Sequence, residues 1–512
     1  MRNKIVKNVS IILTCSIIAK ILSYIWEAIL AYYLGASDQA DTIYMMTSVS
    51  TILYPILDLG IWKVFLPTYK KKLVEKDENK AERIANTAET LFFMMSIALV
   101  LFLIICARPL VTIMAPGFDA EKKALTIKYL RISAPTYLLM ASASVVGAML
   151  QSREKFLGSQ IREIGTHSSK IIYIFICYRF MGVYAAVTAM IVGSVFRLLI
   201  QLPFIDWKWR LKPSFSFKEK EIASMIRGLP SVAITAAIGH INGMVDKIIA
   251  SGAGSGSVAC LNYGHKLMNV FSGMISTAIG TAVYPTMIQY IAEEKTDKLK
   301  ELLANVINAL GFIIIPISCF CVLFSEELVT VAFQRGAFDT TATIVTASVF
   351  VGYCLGMLFF GISTTVTNVF YGFGDTKITM YISMIGITIN VVLDLLLIRF
   401  WGVTGLAFAT SIAAIIGLCI RFVFLRKYIK MGYKPFLTEY IKILMLAAVA
   451  CGIPYVIFVK LMRMNVYLSL FISALICGGL YFGMALLFKV KTFGFVWLLI
   501  GKRLGQKKSR CR

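Results

Sequence analysis

The chain has 512 residues, 58% of them hydrophobic and 15% charged, with a mean hydropathy of +0.78. A soluble domain carries about 25% charged residues, so a soluble globular protein is excluded and the formal net charge of +25 must be read against a membrane. Lys and Arg gather between apolar runs, in "KKKLVEK" (70–76), "KWRLKPSFSFKEKE" (208–221), "RKYIKMGYK" (426–434) and "KKSRCR" (507–512). Basic loops of this kind mark the cytoplasmic face and anionic lipid headgroups rather than nucleic acid.

In chain order, residues 1–34 place basic side chains ahead of an apolar run too long for a signal-peptide core, with no small-residue cleavage site after it, so they read as a first span. Apolar windows of about 20 residues, each able to cross a bilayer as a helix, recur to the C-terminus. The segmentation predicts spans at 8–34, 41–67, 88–108, 126–150, 158–178, 182–204, 226–251, 257–290, 303–324, 342–370, 377–399, 402–425, 437–459 and 466–488. The class is therefore an all-α polytopic membrane protein of about 14 transmembrane helices. Placing both termini in the cytoplasm puts most basic residues inside. The cysteines are mostly isolated within spans and read as small core hydrophobes. No HExxH, Walker loop or zinc spacing is present, so neither an enzyme nor a cofactor is implied.

The chain repeats itself. "YRFMGVYAAVTAMIVGSVFRLLIQLPF" (178–204) aligns with "IRFWGVTGLAFATSIAAIIGLCIRFVF" (398–424), 220 residues later. "LVTIMAPGFD" (110–119) is echoed by "LVTVAFQRGAFD" (328–339), and "LPT" (66–68) by "YPT" (284–286). Two pseudo-symmetric six-helix lobes follow: 1–222 with helices 1–6, and 223–434 with helices 7–12. Residues 435–512 add helices 13 and 14 and a basic cytoplasmic tail. Paired repeats of this kind predict a cavity where the lobes meet and transport by alternating access.

Polar stripes mark where that cavity should be lined, because an intramembrane charge normally faces water or a partner. Ser16, Lys20, Ser23 and Glu27 share one face of the first helix, and Asp41, Tyr44, Ser48, Thr51 and Asp58 form a stripe on the second. Asp246 and Lys247 are neighbours about 100° apart around helix 7. Lys247 shares a face with His240 and Gly243, and Asp246 shares one with Asn242. His265 and Lys266 sit on helix 8, beyond a Gly/Ser turn. The candidate substrate-binding residues are Lys20, Glu27, Asp41, Asp246, Lys247, His265 and Lys266; the competing reading makes them interhelical ion pairs that only lock the lobes.

"VDKIIASGAGSGSVACLNYGHKL" (245–267), "FQRGAFD" (333–339), "YGFGDTKITMYISMIGITINVVLDLLLI" (371–398) and "LGASDQAD" (34–41) resemble, in order along the whole chain, the motifs of MurJ-type lipid II flippases. Those belong to the multidrug/oligosaccharidyl-lipid/polysaccharide exporter superfamily. The resemblance implies fourteen helices, a cationic cavity that opens to either side, and a hydrophobic groove formed with the last two helices for a lipid tail. It implies transfer of an undecaprenyl-pyrophosphate-linked saccharide, lipid II above all, with membrane lipids and cell-wall synthesis proteins as partners. Carried over by position, the family's first-helix arginine is Lys20, its second is Trp26, and the adjacent acid is Glu27. The aspartate opening helix 2 is Asp41, an arginine further along is Tyr54, and the Asp-Arg pair of helix 8 is His265 and Lys266. The lost arginines leave open a flippase for another lipid-linked polysaccharide unit. A cation-coupled multidrug exporter of the same superfamily and a non-transporting scaffold for wall synthesis are the other readings.

Overall fold

The computed structural model describes residues 2–205, 212–429, 431, 434–462, 464–488 and 490. The tail "KKSRCR" (507–512) and the start of the basic segment 208–221 lie outside them. Among the described residues there is no β-strand.

The N-terminal part runs α1 (Arg2–Leu34), α2 (Asp38–Gly60), a π-helical stretch (Ile61–Phe65), α3 (Leu66–Val74), α4 (Glu78–Ile105), α5 (Ala107–Met114), α6 (Ala120–Ser133) and α7 (Thr136–Ser152). It continues through α8 (Phe156–Met181), α9 (Val183–Leu199) and α10 (Lys220–Ala250). Then come α11 (Ser257–Ala292), α12 (Thr296–Leu323), α13 (Ser325–Phe333), α14 (Thr340–Cys354) and α15 (Met357–Gly372). The last are α16 (Thr376–Trp401), α17 (Val403–Leu425), α18 (Lys434–Pro454), a second π-helical stretch (Tyr455–Leu461) and α19 (Val466–Leu487).

Short polar side chains start many of these helices by accepting from amides that have no intrahelical partner. Ser37 accepts from the Ala40 amide, Asp119 from that of Lys122, Asp339 from that of Ala342 and Asp375 from that of Ile378. The caps repeat as the sequence does: Asp119 and Asp339 are 220 residues apart. So are Gly182 (φ +55°) and Gly402 (φ +56°), which separate α8 from α9 and α16 from α17; a Cβ added at either would meet nothing within 4 Å. The pairs α6–α7 and α14–α15 also match, bent by 40° and 41° at corresponding breaks.

Among the described residues nine helices are long and apolar enough to cross a membrane, or eleven if each bent pair is one span. The long helices α8, α10 and α11 stand outside that set. In α8 the reason is visible: Arg162, Glu163, His167 and Lys170 interrupt its apolar residues.

Packing divides the chain into unit 1, Met1–Ala259 with Gly336–Phe338, and unit 2, Cys260–Arg335 with Asp339–Arg512. Internal similarity puts its boundary at 222/223, whereas the packing boundary falls later because α10 lies against α2. The core of unit 1 joins Leu57, Phe65, Tyr69, Ile84, Phe92, Val145, Met149 and Met225 from α2–α4, α7, α10 and the π-helical stretch. At one end of this unit Glu221 bridges Lys72 at 3.1 Å and Lys80 at 2.8 Å, tying α3, α4 and α10 together. In unit 2, Phe324, Cys451, Leu470 and Cys477 pack α18 and α19 onto the end of α12.

Candidate functional site

The stripe on α1 runs from an exposed Lys20, through half-buried Ser23, to Glu27, which is 6% exposed. Glu27 Oε2 accepts a hydrogen bond from the Tyr44 hydroxyl of α2 at 2.8 Å. A carboxylate buried in a helical bundle needs such a donor, and the Tyr44 hydroxyl supplies it from the stripe on the second helix.

Most of the α2 stripe is spent on helix contacts rather than on open space. Asp41 is fully buried, its Oδ2 accepting from the Gly256 amide and its Oδ1 from the Ala259 amide, both at 2.8 Å. Those N–H groups belong to the start of α11, where the helix dipole also favours a negative charge. A Cβ on Gly256 would come within 2.2 Å of the Ala36 carbonyl oxygen, so the loop closes only over a glycine. Nearby, Ser251 Oγ accepts from the Gly117 amide at 3.1 Å, and Lys122 pairs with Asp38. Asp41 therefore holds a clasp between the start of α2 and the α10–α11 turn within unit 1.

Lys247 reaches from α10 to the third stripe position: its Nζ donates to Ser48 Oγ at 2.9 Å, and Ser48 in turn donates to the Tyr44 carbonyl at 2.7 Å. Asp246 is 4% exposed on the adjoining face of α10. Thr51 is exposed and Asp58 half-buried. In unit 2, His265 is exposed, its ring edge-on to Tyr353 at 5.2 Å, while Lys266 is half-buried. Unit 1 thus brings together Glu27 with Tyr44, Asp41 with the α11 amides, and Lys247 with Ser48; His265 and Lys266 sit in the other unit.

Sequence reasoning missed a polar network across α2, α7, α8 and α9. Asp58 accepts from Ser144 at 2.6 Å and from Tyr54 at 3.3 Å, and Arg162 donates to Ser144 at 3.3 Å while lying 4.5 Å from the Trp62 ring centre. Arg197, 5% exposed, grips both oxygens of Glu163 at 2.7 and 2.8 Å, a fork geometry that only arginine offers. Tyr54, where the resemblance has an arginine, thus belongs to a network with two arginines of its own. Trp26, the other such position, lies under the ammonium of Lys170 at 4.5 Å. The available signal was the spacing of Arg162, Thr166 and Lys170, four residues apart on one face of an intramembrane helix.

Unit 2 holds a cavity of about 470 Å³ lined by Phe312, Pro316 and Phe320 of α12, Cys451 of α18, and Cys477 and Tyr481 of α19, a wall that is almost wholly apolar. The Tyr481 hydroxyl is turned away to the Phe312 carbonyl at 2.8 Å.

Comparison with known proteins places this arrangement. The family model described as lipid II flippase MurJ matches residues 30–475. A probable lipid II flippase MurJ of Borreliella burgdorferi is 26% identical over 450 residues, covering 86% of this chain and 87% of the relative. One of Buchnera aphidicola is 24% identical over 419 residues, covering 80% and 81%. Among solved structures, a lipid II flippase MurJ in an inward closed conformation superposes with a TM-score of 0.78 at 20% identity, over 93% of this chain and 98% of that one. An inward-facing multidrug transporter of the MATE family gives 0.70 at 14% identity, over 80% and 94%. These two structural likenesses speak to fold alone.

Proposed function

The chain belongs to the lipid II flippase MurJ family, and we propose that it translocates lipid II, the undecaprenyl-pyrophosphate-linked precursor of peptidoglycan, across the bacterial cytoplasmic membrane by alternating access. The observation that carries this reading is the reach of the family match, residues 30–475, which takes in both repeats and α18 as well as part of α19. It is a multi-pass membrane transporter, not an enzyme.

Lipid II joins a long hydrocarbon tail to a diphosphate and a large polar saccharide, and the chain offers separate chemistry for two of these parts. The apolar cavity beside α12, α18 and α19 suits the tail, since hydrocarbon gains about 25 cal/mol for each Å² removed from water. The diphosphate needs cations, and Lys20 and Lys266 are our assignment for them, with Lys247 and His265 adding positive or hydrogen-bonding groups. Glu27 is a buried acid that positions the Tyr44 hydroxyl, Asp246 is a second buried acid on α10, and Asp41 works the clasp. The helices α8, α10 and α11 complete a set of fourteen spans with both termini cytoplasmic, the orientation that the basic loops favour. Cell-wall synthesis proteins are the partners such a flippase would serve.

Purified protein in vesicles should move fluorescent lipid II from one leaflet to the other, read by quenching from outside. Each charge-assisted contact is worth about 1.5–3 kcal/mol, so Lys20→Ala or Lys266→Ala should weaken binding roughly 10- to 150-fold, while Lys→Arg retains activity. Full activity in the double Lys→Ala protein would remove the diphosphate assignment. Transport of a cationic drug but not of lipid II would favour the exporter reading instead.

A further inference from the structure

Arg421 is a half-buried cation on the inward face of α17, in line with the buried residues Leu406, Ala413 and Gly417. It stands four residues, about 6 Å, from the end of that helix. A long basic side chain so placed usually extends outward to the membrane surface. Arg421 instead lies back along α17: a Cβ added at Gly417, one turn nearer the middle of the span, would fall 3.1 Å from its Nη1. Glycine at 417 therefore leaves the room that the guanidinium takes. Its Nε donates to Thr367 Oγ1 of α15 at 3.2 Å, which holds the group in this inward position.

The internal repeat shows what is unusual about this charge. The equivalent position in unit 1, 220 residues earlier, is Gln201, a fully buried amide that donates to the Ala143 and Arg197 carbonyls at 3.1 and 2.9 Å. Arg197 and Glu163, which pair in unit 1, have Gly417 and Ser383 as their equivalents in unit 2. Unit 2 has thus exchanged a neutral amide for a cation, and a carboxylate for a hydroxyl. Among the described residues no carboxylate offsets the charge of Arg421; Tyr371, one turn beyond Thr367 on α15, is its titratable neighbour. A guanidinium has five N–H donors, and among the described residues Thr367 takes the one hydrogen bond that Arg421 makes. A cation inside a span is costly without a counter-charge. An anion entering here would offset that cost, and the forked donors of the guanidinium match two oxygens of a phosphate.

We propose that Arg421, positioned by Thr367 and Gly417, forms a phosphate-binding site inside unit 2. Its inward direction favours the diphosphate of the transported lipid over the headgroup of a neighbouring phospholipid. That choice of source rests on the flippase reading above; the site itself does not.

The test measures binding to purified full-length protein in detergent, with two pairs of probes that differ in their phosphate. One pair is undecaprenyl diphosphate and undecaprenol, the other phosphatidylglycerol and diacylglycerol. Arg421→Gln gives unit 2 the residue that unit 1 already folds around. It should weaken undecaprenyl diphosphate binding about 10-fold or more and leave undecaprenol unchanged. Arg421→Lys, which keeps the charge and loses the fork, should stay within about fivefold of the parent. A loss confined to phosphatidylglycerol, with diacylglycerol unchanged, upholds the site and makes a phospholipid its source. Parental affinity for both phosphate lipids in Arg421→Gln overturns the proposal. So does an equal loss for a phosphate lipid and its phosphate-free counterpart, or a lysine variant as weak as the glutamine one; each would leave Arg421 a packing role. Should the parent fail to move lipid II in vesicles, the flippase reading falls, while the comparison of phosphate with phosphate-free probes still decides the site.

Discussion

Replacing Asp41 by Asn should open the clasp between α2 and the α10–α11 turn. The carboxylate holds two amides at 2.8 Å, those of Gly256 and Ala259, from a fully buried position. Hydrogen bonds to a charged group contribute about 1.5–3 kcal/mol each, and neutral ones about 0.5–1.5. Asparagine keeps one acceptor oxygen and sets an NH₂ against the other amide, so two charged bonds become one neutral bond. The net loss is roughly 2–5 kcal/mol, or about 30-fold to a few thousandfold in the clasp's opening equilibrium. Hydrogen exchange of the segment 254–262 in detergent reads that opening directly, because both amides exchange only when the clasp releases them. Asp38→Asn is the control: its ion pair with Lys122 leaves Asp38 about half exposed, so exchange should change no more than about fivefold. Unaltered protection in Asp41→Asn, or equal deprotection in Asp38→Asn, would refute the reasoning.

Glu163→Gln leaves Arg197 buried without its counter-charge and should cost about 2–3 kcal/mol in unfolding measurements; this is below the 3–5 of a fully buried pair because Glu163 is 36% exposed. Adding Arg197→Met should recover part of that loss. Gly182→Ala and Gly402→Ala should each destabilise by about 1–3 kcal/mol, and by similar amounts, since both backbones are left-handed and neither Cβ meets an obstacle; a harmless change at either site would contradict the structural repeat. Hydrogen bonds and charge from Lys80 and Lys72 hold the Glu221 carboxyl down at about 2. A depressed carboxyl contributes stability above its unfolded value, about 4.3, and loses it as pH falls toward 2. The stability difference between the parent and Glu221→Gln should therefore be constant from pH 8 to about 5.5 and shrink below about 4. Gly478→Trp, filling the apolar cavity, should slow lipid II transport while leaving stability near that of the parent; unchanged transport would detach the cavity from the lipid tail.

What the sequence by itself determined was local or periodic. Hydropathy summed over some 20 residues marks a span wherever it occurs. The 220-residue echo, visible in the "RFMGV" and "RFWGV" segments, reappears as the matched turns at Gly182 and Gly402 and the matched bends of α6–α7 and α14–α15. Chain geometry follows there from short-range rules of capping and glycine conformation, so similar segments adopt similar shapes. Helical spacing likewise placed Asp41, Tyr44 and Ser48 on one face of α2.

Only tertiary structure decided what that face meets. Periodicity says that residues share a side of a helix; it does not distinguish water from a neighbouring helix. Asp41 turned out to cap α11 amides, Tyr44 to serve Glu27 and Ser48 to receive Lys247. The partners of α8 were hidden for the same reason. Arg197 meets Glu163 across 34 residues, and Lys170 meets Trp26 across more than a hundred. A charge in a span announces that it needs a partner, because burial without one is too costly. Which partner answers depends on how helices distant in the chain are packed, and no single stretch of sequence carries that information.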